Sequence, residues 1–185
     1  LHAIIPFKFV DHTHAKAVLT ITNTPNGEEK IKELYGDRVL IVPYVMPGFI
    51  LAKAIFQMTR QIDWSQYEGM ILMNHGVFTF DDSARRRYDK MIDIVSVAER
   101  YIEDHVEPFE SVSPSEPTDL SDDSLQFLVR LRKDISKQRG SAVYARFDNS
   151  IQAQTYAGLK AIDDIAIRGP LTPDHIIRTK QSPMV

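Results

Sequence analysis

Short apolar runs set between stretches of helical spacing constrain the architecture of this chain most. Val39-Leu40-Ile41-Val42, closed by Pro43, and Gly69-Met70-Ile71-Leu72-Met73, running into Asn74, read as buried strands. Around them the pattern turns helical. Residues 28–35 put Ile31, Leu34 and Tyr35 on one face, carry acids in the first turn where the helix dipole favours them, and stop at Gly36. Pro47-Gly48 opens a second helix with Ile50, Leu51, Ala54, Ile55 and Met58 directed inward. Asp81-Asp82-Ser83 caps a long amphipathic helix over residues 83–105, apolar at Tyr88, Met91, Ile92, Val95 and Ala98. The β-branched run of residues 17–22 extends the strand reading, giving one strand or two broken strands over residues 9–22. Residues 107–123, with their prolines, serines and acids, read as a loop or insert. A helix over 122–138, a strand over 142–147, a short helix over 151–161 and an extended tail over 166–185 complete the pattern. Strands alternating with helices mean α/β layers, with strand order and direction left open.

Composition narrows the partners. The 185 residues, 43% of them hydrophobic, give material for one compact domain over residues 1–185. A net charge of -3 with no basic stripe argues against nucleic acid as a partner. No cysteine is present, which removes disulfides and thiolate ligands and fits a reducing cytoplasm. No apolar run approaches the length that crosses a bilayer, so no membrane partner is expected. Leu1 is not an initiator methionine, and Leu1-His2-Ala3-Ile4-Ile5 reads as the end of a helix already under way. The expectation is therefore an N-terminally incomplete domain within a longer gene product.

Chemistry enters through histidine. In an extended segment His12 and His14 project to one face and Thr13 to the other, so both rings can reach one ion. His75, in Asn74-His75-Gly76, follows a buried strand and precedes a glycine that adds no bulk, which suits a third ligand at a strand end. Three imidazoles can hold a divalent metal with a coordination position open, pointing to metal-assisted carbonyl chemistry. Asp11 is offset by one residue from His12 and points away, more suited to orienting a neighbour than to ligation. There is no GxGxxG or phosphate-loop pattern and no internal repeat.

These segments also carry a resemblance. Phe9-Val10-Asp11-His12-Thr13-His14-Ala15, Tyr35-Gly36-Asp37-Arg38-Val39, Pro43-Tyr44-Val45-Met46-Pro47-Gly48 and Met73-Asn74-His75-Gly76 resemble the class II aldolase/adducin family. With the tail Arg168-Gly169-Pro170-Leu171-Thr172-Pro173-Asp174-His175, they are most similar to the aldolase half of bifunctional rhamnulose-phosphate aldolase/short-chain dehydrogenase proteins. The resemblance implies a three-layer α/β/α sandwich around a mostly antiparallel sheet, and homo-oligomers with interfacial active sites. It also implies a divalent metal, usually Zn2+, on His12, His14 and His75. It places the acid/base glutamate and the phosphate loop ahead of Leu1 and a dehydrogenase half beyond Val185, so no catalytic proton carrier is assigned within the chain; Tyr44 is a weak candidate.

The activity so implied is aldol cleavage of a phosphorylated sugar, a ketose 1-phosphate such as rhamnulose 1-phosphate, to dihydroxyacetone phosphate and an aldehyde. The alternatives are a sugar-phosphate 4-epimerase or dehydratase on the same metal, and a non-catalytic adducin-like interaction module. His175 and Arg178, in a small basic tail with Lys180, are candidates for substrate phosphate, against the blander reading of a docked structural tail. Arg85-Arg86-Arg87 reads as a solvated helix face or subunit contact rather than an anion site. Trp64 and Tyr67 read as packing under the loop that enters the strand at Gly69.

Overall fold

The first histidine strand, β1 (Phe9–Thr13), lies at one edge of a four-stranded sheet whose other edge is β2 (Val39–Val42); β4 (Gly76–Asp81) and β3 (Gly69–Leu72) lie between, in the order β1-β4-β3-β2. The computed structural model describes residues 1–107 and 119–178, with side chains described as far as His175. β1 pairs with β4 and β4 with β3 antiparallel, while β3 and β2 run parallel. The sheet is thus mixed and mostly antiparallel, as the resemblance implies.

Both central strands are buried along their whole length, which only a sheet covered on both faces allows. Alternation along β3 divides the core. Ile71 joins Val77 and the apolar stripes of α1 (Lys16–Thr22), α2 (Gly27–Tyr35) and α4 (Ala84–His105) on one face. Met70 and Leu72 join Phe78, Phe80, Ile5 and the Leu51 and Ile55 of α3 (Phe49–Met58) on the other. Helices therefore flank the sheet on both sides, and the two clusters are the interior of an α/β/α arrangement. The Tyr35 hydroxyl donates to the Ile94 carbonyl at 2.7 Å, satisfying a polar atom that α2 carries into the core.

Several expectations are corrected. Residues 17–22 form helix α1, not strand: Val18, Ile21 and Thr22 are buried at i, i+3 and i+4, and packing on α4 outweighs their β-branched preference. Residues 142–147 form no strand. Tyr144 is fully exposed, and Val143 is tied to α5 (Asp122–Arg139) through the Ser136 and Arg132 side chains instead of a ladder. The tail predicted as extended over 166–185 follows α7 (Ile162–Ala166) and is helical in part, because it carries α8 (Pro173–Arg178), which opens on proline at its first helical position. The helix predicted over 151–161 ends sooner, as α6 (Ile151–Ala157). Ile50 and Met58 on α3, and Tyr88 and Ile92 on α4, face outward.

The chain divides into two compact units. One takes in Leu1–Glu107 with the C-terminal segment from Arg168; it holds the sheet, the flanking helices and α8. The other contains α5, α6 and α7. Helix α5 has Ser121 as its N-cap and left-handed Gly140 as its C-cap, and buries none of its residues. Among the described residues no helix is long and apolar enough to cross a membrane.

Candidate metal centre

β1 and the β3–β4 connection end side by side. His12 lies opposite Phe78 across the β1–β4 ladder, and its ring stacks on that phenyl at 4.1 Å between centroids and 11° between planes. His14 stands in the short link before α1, and His75 sits at the end of the turn that joins β3 to β4. Asn74 makes that turn with a positive φ of 57°, a conformation asparagine tolerates. Its amide donates to Asn23 Oδ1 at 2.5 Å and to the Thr22 carbonyl at 3.3 Å, pinning the turn to the end of α1. Gly76 has no substitute here: a Cβ would lie 2.5 Å from the Thr13 carbonyl, 3.0 Å from His12 Cε1 and 3.1 Å from His14 Cδ2.

The three rings converge. One nitrogen from each of His12, His14 and His75 lies within 4.8 Å of the others, so the three histidines can hold one ion. Hydrogen bonding determines which nitrogens are free. His12 Nδ1 lies 2.9 Å from the Val77 carbonyl, which can only accept, so the proton is on Nδ1 and Nε2 carries a lone pair. His14 Nδ1 donates to Asp174 Oδ2 at 2.7 Å, so in the neutral ring the lone pair is on Nε2. The two Nε2 atoms face each other at 3.1 Å. Two lone pairs so close repel unless a proton or a cation lies between them. A tetrahedral metal with nitrogens at ~2.0–2.1 Å separates its ligands by ~3.4 Å, so this spacing suits an ion. His75 Nδ1 is buried without a hydrogen-bond partner, a further donor that an ion would satisfy.

Protons compete poorly for this site. His12 is held down to about 4, chiefly by desolvation; the Val77 hydrogen bond opposes the shift and the nearby His14, His75 and His2 add to it. Its outer edge is exposed, yet the face on Phe78 has lost its water. His75 is lowered too, by desolvation first and then by His14. Both are ready as neutral ligands at pH 7.

The remaining predicted residues take other places. Asp11 turns away from the histidines and pairs with Arg87 of α4. Arg85 pairs with Asp89 and Arg86 with Asp81, so the arginine run is engaged within the fold. Asp81, buried and also bonded to Lys90, is held well below the usual carboxylate range, by Arg86 first and Lys90 next. Trp64 packs edge-on against Phe80 at 5.3 Å, under the entry to β3 as expected. Tyr44 is exposed. His175 Nδ1 bonds the buried Thr172 hydroxyl at 2.7 Å, and the Arg178 side chain lies outside the described residues. Sequence reasoning missed Asp174, the immediate neighbour of His175, and the Val77 carbonyl. A backbone acceptor leaves no sequence signal, but the Thr172-Pro173-Asp174 helix start was readable.

Residues 1–102 match the Class II Aldolase and Adducin N-terminal domain family. The chain belongs to that family. Residues 122–185 match a separate family described as Aldolase class II, second domain, and the two matches fall largely on different compact units. A Bacillus subtilis (strain 168) protein named uncharacterized oxidoreductase YuxG is 30% identical over 191 residues, a match covering 100% of this chain. The chain spans only 27% of that curated relative's length. Among solved structures, the N-terminal class II aldolase domain of a conserved protein from Thermoplasma acidophilum is 43% identical, with a TM-score of 0.47 over 55% of this chain and 45% of that one. An aldolase II superfamily protein from Pseudomonas syringae is 17% identical, with a TM-score of 0.41 over 70% of this chain and 56% of that one.

Proposed function

We propose that this chain is the metal-binding part of a lyase that cleaves a ketose 1-phosphate, rhamnulose 1-phosphate by the resemblance of its motifs, into dihydroxyacetone phosphate and lactaldehyde. The observation that carries the reading is the meeting of His12, His14 and His75, with two Nε2 atoms face to face at 3.1 Å and a buried unpartnered His75 Nδ1. The donor set is all neutral nitrogen, which suits Zn2+ and leaves the ion its full charge. Such an ion supplies Lewis-acid stabilisation for the negative charge that builds on a carbonyl oxygen as the adjacent carbon–carbon bond breaks.

The chain's own residues perform the supporting work. Val77 fixes the tautomer of His12, the Asn74 turn presents His75, and Phe78 excludes water from one side of His12. The partner is a small phosphorylated sugar, with His175 and Arg178 proposed at its phosphate. A second copy of the chain is the proposed protein partner, a reading supported by the apolar side chains that α3 leaves exposed. The cysteine-free sequence and modest negative charge fit a cytoplasmic enzyme.

The test uses the full-length protein, with a panel of ketose 1-phosphates as substrates and release of dihydroxyacetone phosphate as the readout. Cleavage is expected to vanish with a chelator and return with Zn2+, and His75→Ala is expected to lower it at least about a hundredfold with circular dichroism unchanged. A 4-epimer or a dehydrated product in place of the triose phosphate would overturn the lyase reading. Full cleavage by the metal-free protein would overturn the site.

A further inference from the structure

The contact between His14 and Asp174 crosses 160 residues of sequence and brings the C-terminal segment to the histidines. We propose that Asp174 is a positioning residue for His14, its carboxylate holding the proton on Nδ1 so that Nε2 faces the ion. The proposal rests on reading His12, His14 and His75 as metal ligands.

Three observations carry it. The distance is 2.7 Å, in the range of a charge-assisted hydrogen bond, and the acceptor is a carboxylate, which both fixes the tautomer and makes the opposite nitrogen a better donor to a metal. The segment that brings Asp174 is anchored at the same end of the sheet. Asn23 donates to the Leu171 carbonyl at 3.1 Å, and Thr172 is buried and bonded to His175. Asn23 serves both sides of the site, since its side-chain oxygen accepts from Asn74 in the turn that carries His75. One asparagine thus ties the third histidine's turn and the Asp174 segment to the end of α1.

A merely structural pair predicts something else. The Asp174 side chain is 57% exposed, and an ion pair so open to water adds little to folding. Loss of Asp174 should therefore leave the metal-free protein's unfolding midpoint in place while changing its hold on metal.

The experiment measures Zn2+ affinity of the full-length protein against a competing chelator, and the visible spectrum of the Co2+ form, for wild type, Asp174→Ala, Asp174→Asn, Asp174→Glu and His75→Ala. Asp174→Ala is expected to bind Zn2+ about 10–100-fold more weakly. Asp174→Asn, which keeps an acceptor without the charge, is expected between the two, and Asp174→Glu should restore part of the loss. The Co2+ bands of Asp174→Ala should shift as the His14 ring loses its hold. Zn2+ affinities of Asp174→Ala and Asp174→Asn within twofold of wild type, beside a weakened His75→Ala, would overturn the role of Asp174 and leave the metal site standing. A wild type that binds no Zn2+, or a His75→Ala that binds as tightly, would overturn the metal site and this proposal with it.

Discussion

Each of the three histidines is placed by something small: a carbonyl behind His12, a carboxylate behind His14, a left-handed asparagine before His75. The pair at 12 and 14 and the Asn74-His75-Gly76 turn were legible because strand alternation and a strand-end glycine are local signals. What lies behind the rings was not. The Val77 carbonyl belongs to the backbone, and Asp174 reaches His14 from the far end of the chain. The desolvation that lowers His12 and His75 has a consequence for stability. A histidine with a folded pKa below its unfolded value leaves the unfolded chain holding more protons at intermediate pH. For His12 the unfolded value is 6.5 and the folded value about 4, so its contribution is complete above about 6.5 and lost as pH falls toward 4. Metal-free protein is therefore expected to melt at progressively lower temperature from pH 6.5 down to 5, a range above most carboxylate titrations. His12→Asn, which cannot take up a proton there, should flatten that slope. An equal slope in wild type and variant, measured by scanning calorimetry with chelator present, would contradict the desolvated state of His12.

Strand β4 has weak sequence signals, set between the histidine turn and the acidic cap of α4, yet all its residues are buried and it pairs with strands on both sides. By contrast α2, α4 and α5 were legible, since helical periodicity over several turns leaves few competing readings. The short run at residues 17–22 was not, because so few apolar residues suit a strand and a helix alike, and only the packing of Val18 and Ile21 on α4 decides between them. The interior position of β4 sets an energetic expectation. Phe80 is fully buried, stacked on Phe7 at 5.0 Å and met edge-on by Trp64. Phe80→Ala removes an aromatic from a packed face and leaves a cavity that two large neighbours cannot readily fill, which costs about 3–5 kcal/mol. Phe80→Leu, nearer in volume and shape, should cost clearly less. Urea unfolding of both variants checks the order. Equal and small losses would mean that β4 is not an interior strand.

At the scale of the molecule, exposure on α3 raises a question that the core of a single chain leaves open. Leu51 and Ile55 face the sheet, while Phe49 and Phe56, two turns apart, lie on the opposite side; Phe49 is 83% exposed and Ile50 67%. Tyr44 and Met46, in the loop that leads into this helix, are also exposed, so the outward apolar surface is contiguous in sequence. The amphipathic pattern that points Ile50 and Met58 inward shows which residues avoid water but not whether their own chain or a second one covers them. A second copy is the proposed cover, since isologous contacts between identical patches are the commonest way such a face is buried. The full-length protein should then sediment as an oligomer, and Phe49→Glu with Ile50→Glu should shift it to smaller species, because two charges on that face would be buried without partners. Circular dichroism should stay unchanged, as neither side chain touches the core. Wild type sedimenting as a monomer at micromolar concentration would rule out the oligomer, and an oligomer indifferent to both glutamates would place its contact away from α3.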